Sequence, residues 1–193
     1  MKKTIVILLS ALLALPVVAQ KKSLELGIYG GFQSYTKTGN PYDNSFSSGF
    51  GIGFHTKYYL CDQVFWATEL FGATDDGTEV RTKEGRILSL HRQDYSLSTG
   101  IGFDYLSTDR LKLYLQLCAG IGTVQGYEDY FKSEATGINR VNIHHTAYII
   151  APTTGIDFYL NKQWKIGAGY TFRYLGDFDA SHSIFARISF VLN

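Results

Sequence analysis

The sequence predicts an all-β protein folded as an eight-stranded antiparallel up-and-down β-barrel. Three observations predict it. Period-two alternation recurs along eight segments, glycine crowds one face of that alternation, and the links between segments alternate between short and long. The stretch GFGIGFHTKYYL, residues 49–60, shows the first two. Phe50, Ile52, Phe54, Tyr58 and Leu60 point one way, while Gly49, Gly51, Gly53, His55, Lys57 and Tyr59 point the other.

The chain opens MKKTIVILLSALLALPVVAQ. Lys2 and Lys3 precede an apolar run from Ile5 to Leu15, and Val17 and Ala19 have the small side chains of a cleavage site. Residues 1–19 therefore read as a secretory signal peptide, and residues 20–193 as one barrel domain. The apolar run is shorter than the ~20 residues of a spanning helix. Removing Lys2 and Lys3 from the 18 basic residues leaves 16 against 17 acidic ones, a balance that gives no footing for a nucleic-acid partner. The 14 tyrosines, 13 phenylalanines and 20 glycines, with only 3 prolines, suit strands and turns.

The first strand is expected over roughly 23–35, with Leu24, Leu26, Ile28 and Phe32 on one face, and the second over 49–60. The third begins near Val64, with Trp66 and Leu70 on one side and Phe65 and Phe71 on the other. The fourth ends as YSLSTGIGFDY, which aligns Tyr95, Leu97, Ile101, Phe103 and Tyr105. The fifth, RLKLYLQLCAGIG, aligns Leu111, Leu113, Leu115, Leu117 and Ile121. The last three are expected at about 146–160, 163–174 and 182–192. Pro152 falls inside the sixth, where its missing N–H predicts a bulge. Short links at 61–63, 107–109 and 161–163 alternate with long ones at 36–48, about 75–92, about 125–145 and a shorter 175–181. The second long link is expected to rise as a hairpin turning at Lys83-Glu84-Gly85. All long links then lie at one end, as in bacterial transmembrane barrels with short periplasmic turns.

Alternation alone does not say which face is inside. A soluble ligand-binding barrel alternates too, with its apolar face inward. Here the polar face holds glycines 27, 31, 49, 51, 53, 100, 102, 120, 122, 155, 167 and 169 where a soluble barrel would carry Lys and Glu. Small residues suit the narrow lumen of an eight-stranded barrel. The apolar stripes match the ~9–11 residues of a tilted membrane-crossing strand. Tyr58, Tyr59, Trp66, Tyr105, Tyr159 and Trp164 gather near the short turns like an interfacial girdle. The apolar face is thus assigned to lipid and the glycine face to the lumen, giving a transmembrane β-barrel.

These patterns resemble the small outer-membrane β-barrels of the OmpA/OmpX/opacity-protein type, especially Bacteroidetes-like versions. The resemblance covers nearly the whole mature chain and rests on LELGIYGGFQS, SGFGIGFHTKYYLCDQVFWATELFGATDDG and TTGIDFYLNKQWKIGAGYTFRYLGDF. It implies the bacterial outer membrane as location. It also implies contact with outer-membrane lipid and lipopolysaccharide, handling by the barrel-assembly machinery, and a monomer. The chain departs from the family's usual aromatic ending, since Val191, Leu192 and Asn193 follow Phe190.

Strand parity sends charge into the lumen. Glu25, Lys57, Asp104, Lys112, Asp157 and Lys165 fall near the periplasmic end, with His55, Glu69, Gln116 and Arg187 higher and Arg173 near the outer end. Buried charges must pair, so these are expected to form a neutralised ladder, with Glu69 and Arg187 as one cross-lumen pair. Other chemistry finds little footing. Cys61 and Cys118 are expected at different heights, too far apart for a disulfide. His144-His145 is expected at the end of a loop, and no metal or cofactor site is assigned. Ser181-His182-Ser183 near Asp177 and Asp179 is the nearest thing to a hydrolytic set, but neighbours on a strand face opposite ways, so no catalytic residues are assigned. The expected role is structural and surface-interactive, a largely plugged barrel displaying long loops to a host or environmental ligand, as the resemblance to adhesins implies. The alternatives are a narrow channel for small solutes and, third, a lipid A-modifying enzyme.

Overall fold

A computed structural model describes residues 23–36, 48–77, 80–81, 86–133, 137–176 and 179–192. The signal segment, Asp177 and the turn at residues 83–85 lie outside them. The strands are β1 (Leu24–Thr36), β2 (Ser48–Tyr59), β3 (Val64–Gly77), β4 (Val80–Arg81), β5 (Arg86–Ser107), β6 (Leu111–Ser133), β7 (Gly137–Tyr159), β8 (Trp164–Leu175) and β9 (Asp179–Leu192). The sheet runs β3-β2-β1-β9-β8-β7-β6-β5, and β3 pairs with β5 to close an eight-stranded antiparallel barrel. β4 is a two-residue arm that pairs Val80 with Ile87 and Arg81 with Arg86, so a hairpin does rise there. No helix among the described residues is long and apolar enough to cross a membrane; strands do the crossing.

Alternation becomes two unlike surfaces. Phe32 is 74% exposed, Ile52 63%, Ile121 64% and Ile184 69%. Between them, Lys57, Phe65, Tyr114 and Lys165 are buried inside. Many lumenal glycines are the space into which a neighbour's side chain fits. Phe65 fills the room over Gly102, Tyr29 that over Gly53, Tyr114 that over Gly155 and the Asp157 carboxylate that over Gly167. A narrow barrel can hold such large interior groups because the facing wall has none.

The short links form one rim. Leu60 N donates to Val64 O at 2.8 Å, and Leu160 N to Trp164 O at 2.9 Å. Asn161 Oδ1 accepts from Gln163 N at 2.8 Å and Trp164 N at 2.9 Å. Thr108 and Leu111 close the third turn.

Three expectations change. Much of the two longest links is strand, because β5, β6 and β7 run for 22, 23 and 23 residues against 12 to 14 in the other barrel strands. Their upper parts pair with one another, so these segments fulfil their backbone hydrogen bonds above the rest of the barrel. His144 and His145 accordingly sit on β7, opposite Gln125 and Val124, and take opposite faces. Pro152 makes no bulge. Pairing between β7 and β8 lapses at residues 151–152 and resumes in the same register, with Ile150 opposite Tyr174 and Thr153 opposite Thr171. The register shifts lie elsewhere, between Ile87 and Ser89, Asp104 and Leu106, and Phe131 and Ser133.

Candidate functional site

The lumen is filled in tiers. At the periplasmic end Asp104 accepts from Lys112 Nζ at 2.8 Å and from Tyr59 Oη at 3.1 Å, with the Lys112 ammonium 4.3 Å from the Tyr59 ring centre. Above it lies the ionic centre. Glu25 bonds Lys165 and meets His55 Nε2 at 3.4 Å, while Ser189 Oγ reaches the same nitrogen at 3.2 Å. Asp157 takes both prongs of the Arg187 guanidinium, Nε at 2.7 Å, with Lys57 at 3.6 Å and Lys165 at 3.7 Å. Two carboxylates thus hold three cations. Aromatic faces stabilise the surplus charge: the Lys57 ammonium stands 3.6 Å above the Tyr114 ring and 4.5 Å from Phe65, and the Arg187 guanidinium 4.3 Å from Tyr114.

The next tier is mixed. Gln116 donates to Glu69 at 2.8 Å and to Cys118 Sγ at 3.3 Å. Tyr29 stacks on Phe71 with centroids 6.1 Å apart and planes 8° from parallel, and it tilts against Phe185 at 5.2 Å. Arg173 covers Phe71 at 3.7 Å and donates to Ser183 at 2.9 Å and Tyr29 Oη at 3.4 Å. Uppermost, Arg92 grips Asp94 through two bonds of 2.7 and 3.1 Å, lies 3.9 Å from the Tyr35 ring, and shares Asp94 with Gln33 at 3.1 Å. A void of about 20 Å³ between Arg173 and Arg92, lined also by Gln33 and Ser181, has room for about one water.

Glu25, His55, Lys57, Glu69, Asp104, Gln116, Asp157, Lys165, Arg173 and Arg187 are buried, and Lys112 is half-buried. The proposed Glu69–Arg187 pair is replaced by other partners. Arg187 is committed to Asp157, and Glu69 to Gln116. Among the expected girdle residues, Trp66, Tyr105 and Trp164 are exposed on the outside, and Tyr58 is half-buried between Leu24 and Trp66. Trp164 packs edge-on against Phe190 at 5.0 Å. Tyr59 and Tyr159 belong to the lumen. Tyr59 bonds Asp104, and Tyr159 shares the inward parity of Asp157, its ring 5.1 Å from the Lys165 ammonium. Their own alternation already placed them inward; nearness to a turn was the weaker signal.

Sequence reasoning passed over Arg92, Tyr114 and Gln33, and set Phe65 on the face opposite Trp66 without giving it a role. Tyr114 lies between Lys112 and Gln116 on the same face, so the alternation could have found it. Arg92 lies on a part of β5 that was assigned to a link. Cys61 and Cys118 are both free. Among the described residues no cluster of three or more His, Cys, Asp or Glu side chains could hold a metal. Ser181 and Ser183 are buried in the lumen, while His182 turns outward and bonds Tyr170 through Nδ1. The hydroxyl of Ser183 contacts Arg173 and Gln33.

Solved structures share this architecture. Ail of Yersinia pestis, in a crystal with the heparin analogue sucrose octasulfate, matches with a TM-score of 0.58 at 15% identity over 90% of this chain and 100% of that one. Neisserial surface protein A matches at 0.56 and 13% identity, over 89% and 97%. OprG of Pseudomonas aeruginosa matches at 0.56 and 14%, over 89% and 97%. At such identities they establish a fold. A search of the curated proteins gave no match. The model of the outer membrane protein beta-barrel domain matches residues 5–188, almost the whole chain. With its closed barrel, apolar exterior and charged interior, the chain belongs to that family and is an outer-membrane protein.

Proposed function

We propose that the protein is a closed support for surface display, carrying a tall sheet outward to meet a ligand outside the cell. One observation carries this reading. β7 continues for residues 137–148 beyond its last pairing with β8, Ile149 with Leu175, and stays paired with β6 along most of that length. That is about 40 Å of strand at ~3.3 Å per residue. Ile143 and Ala147 still pack against the lumenal cluster, and the strand built past them serves neither membrane crossing nor lumen filling. The filled tiers below support a barrel whose interior work is stability. Host or environmental surface molecules are the proposed partners, and the sulfated sugar bound by Ail is a reasonable first probe of the class. His182 and its neighbouring serines face opposite ways, which supports a role without catalysis.

Planar-bilayer recording of the refolded protein, with folding verified by heat-dependent gel mobility, tests the closed interior. A silent bilayer is expected. Steady openings whose conductance scales with salt would make small-solute passage the function instead. Binding of sucrose octasulfate, measured by calorimetry with and without residues 128–141, tests the display half. A signal that survives their replacement by a short turn would place the ligand elsewhere.

A further inference from the structure

We infer that the void between Arg173 and Arg92 is a seat for one monatomic anion, a halide such as chloride. Arg173 stands apart from the other cations of the lumen. Lys57, Lys165 and Arg187 share Asp157, Lys112 has Asp104 and Arg92 has Asp94. Arg173 is 5% exposed, yet among the described residues its guanidinium meets no carboxylate within salt-bridge distance. Its partners are the Ser183 hydroxyl, the Tyr29 hydroxyl and the Phe71 ring, all neutral. Glu69, the acid of the same tier, accepts from Gln116 instead. A ring face offsets only part of a buried charge. A guanidinium carries five N–H donors, and two of these are spent here. A buried cation of this kind calls for a counter-charge.

The void of about 20 Å³ adjoins that guanidinium. Its lining holds two guanidiniums, Arg173 and Arg92, against the one carboxylate of Asp94, which leaves one positive charge. Asp94 is already held by Arg92 through two bonds and by Gln33 through a third. Asp75, opposite Arg92 in register, lies outside the lining. Ser181 lies opposite Arg173 across β8 and β9, is likewise 5% exposed, and adds a hydroxyl to the same lining.

Size and wall chemistry select the ligand. The space is that of about one water, which admits a halide and is too small for sulfate, phosphate or an organic acid. Much of the remaining wall is apolar, with Phe71, Val124 and Ile149 in it. Such a wall favours an anion that gives up its hydration shell readily, so chloride and bromide are preferred over fluoride. An anion there completes for Arg173 the pairing that the other lumenal cations already have.

The test is the line width of the chloride NMR signal over the refolded protein in a non-ionic detergent. Sodium chloride is titrated at constant ionic strength against sodium gluconate, so that screening does not change. The expected result is a saturable broadening that bromide displaces and sulfate does not. Arg173→Gln should weaken binding at least about tenfold, the size of one lost charge-assisted hydrogen bond. Arg173→Lys should keep part of it, and Ser181→Ala should cost about threefold. Val124→Leu fills the void, leaves every charge in place and should remove the binding. Folding of each variant is checked by heat-dependent gel mobility; should Arg173→Gln not fold, Val124→Leu and Ser181→Ala decide. Undiminished broadening by Arg173→Gln or Val124→Leu, displacement by sulfate, or no saturable broadening on the wild type, the result for a water alone, would overturn the assignment.

Discussion

The ionic centre of the lumen and the tall wall of β5–β7 are built from the same alternation, yet they do opposite things with it. In the centre, the charged and aromatic residues of the inward face are sealed among their neighbours: Lys57, Asp157, Lys165 and Arg187 each find an oppositely charged or aromatic partner across the barrel. In the wall above Ile149, the β7 face that turns outward carries Arg140, Asn142 and His144, all exposed. Enclosure, rather than sequence pattern, decides what a polar residue is worth. A carboxylate in the closed ring is shared by three cations, whereas a polar residue on the wall stays open to its surroundings.

The sharpest way to break this contrast is Asp157→Ala. It removes the carboxylate that bonds Arg187 and faces Lys57 and Lys165. Unfolding in urea with lipid vesicles, followed by tryptophan fluorescence, should show a loss of about 3–5 kcal/mol, the usual result of stranding buried charge. A change below about 1 kcal/mol would mean the centre is as wet as a surface. Next in size, Gly102→Leu drives a side chain into the Phe65 ring. About 1–3 kcal/mol should be lost by the same assay, and pairing it with Phe65→Ala should recover part of the loss. Glu69→Ala leaves Gln116 without its carboxylate partner and should remove about 1–2 kcal/mol. Replacing residues 128–141 with a short glycine-rich turn should shift the transition by less than about 1 kcal/mol, since the wall opens without the barrel. Smallest is Thr68→Val on the lipid face. Its hydroxyl bonds Thr99 at 3.1 Å, and about 0.6 kcal/mol is expected from losing such a bond in a bilayer.

The contrast also shows what could be read in advance. Parity alone sent Glu25, Lys57, Asp157 and Lys165 inside, because a strand offers a side chain only two directions. It did not select partners. Glu69 lies opposite His55 in register and yet bonds Gln116. Arg187, opposite Gly167, reaches past it to Asp157. Which groups meet across a lumen depends on strand tilt and stagger, and those are properties of the closed ring that no single segment states. The wall escaped notice for another reason. GYEDYFKS and GINRVNIHH are polar on both faces, so they carry little of the hydrophobic periodicity by which strands are recognised, and only pairing with each other makes them strands.

The seam where β1 meets β9 joins the earliest described strand to the latest, over 13 residue pairs from Leu24 with Leu192 to Thr36 with Ala180. The lumenal contacts around it span similar distances along the chain: Lys165 with Glu25 is 140 residues apart, Ser189 with His55 134, and Ser183 with Gln33 150. None of these can form before the last two strands are delivered. Nascent protein therefore carries Glu25, Gln33 and His55 without these partners until then, and the entropy of bringing such remote residues together makes closure the slow event in folding. Insertion and ring closure are thereby coupled: the unclosed chain is too polar to dwell in lipid, and the closed one has little reason to leave.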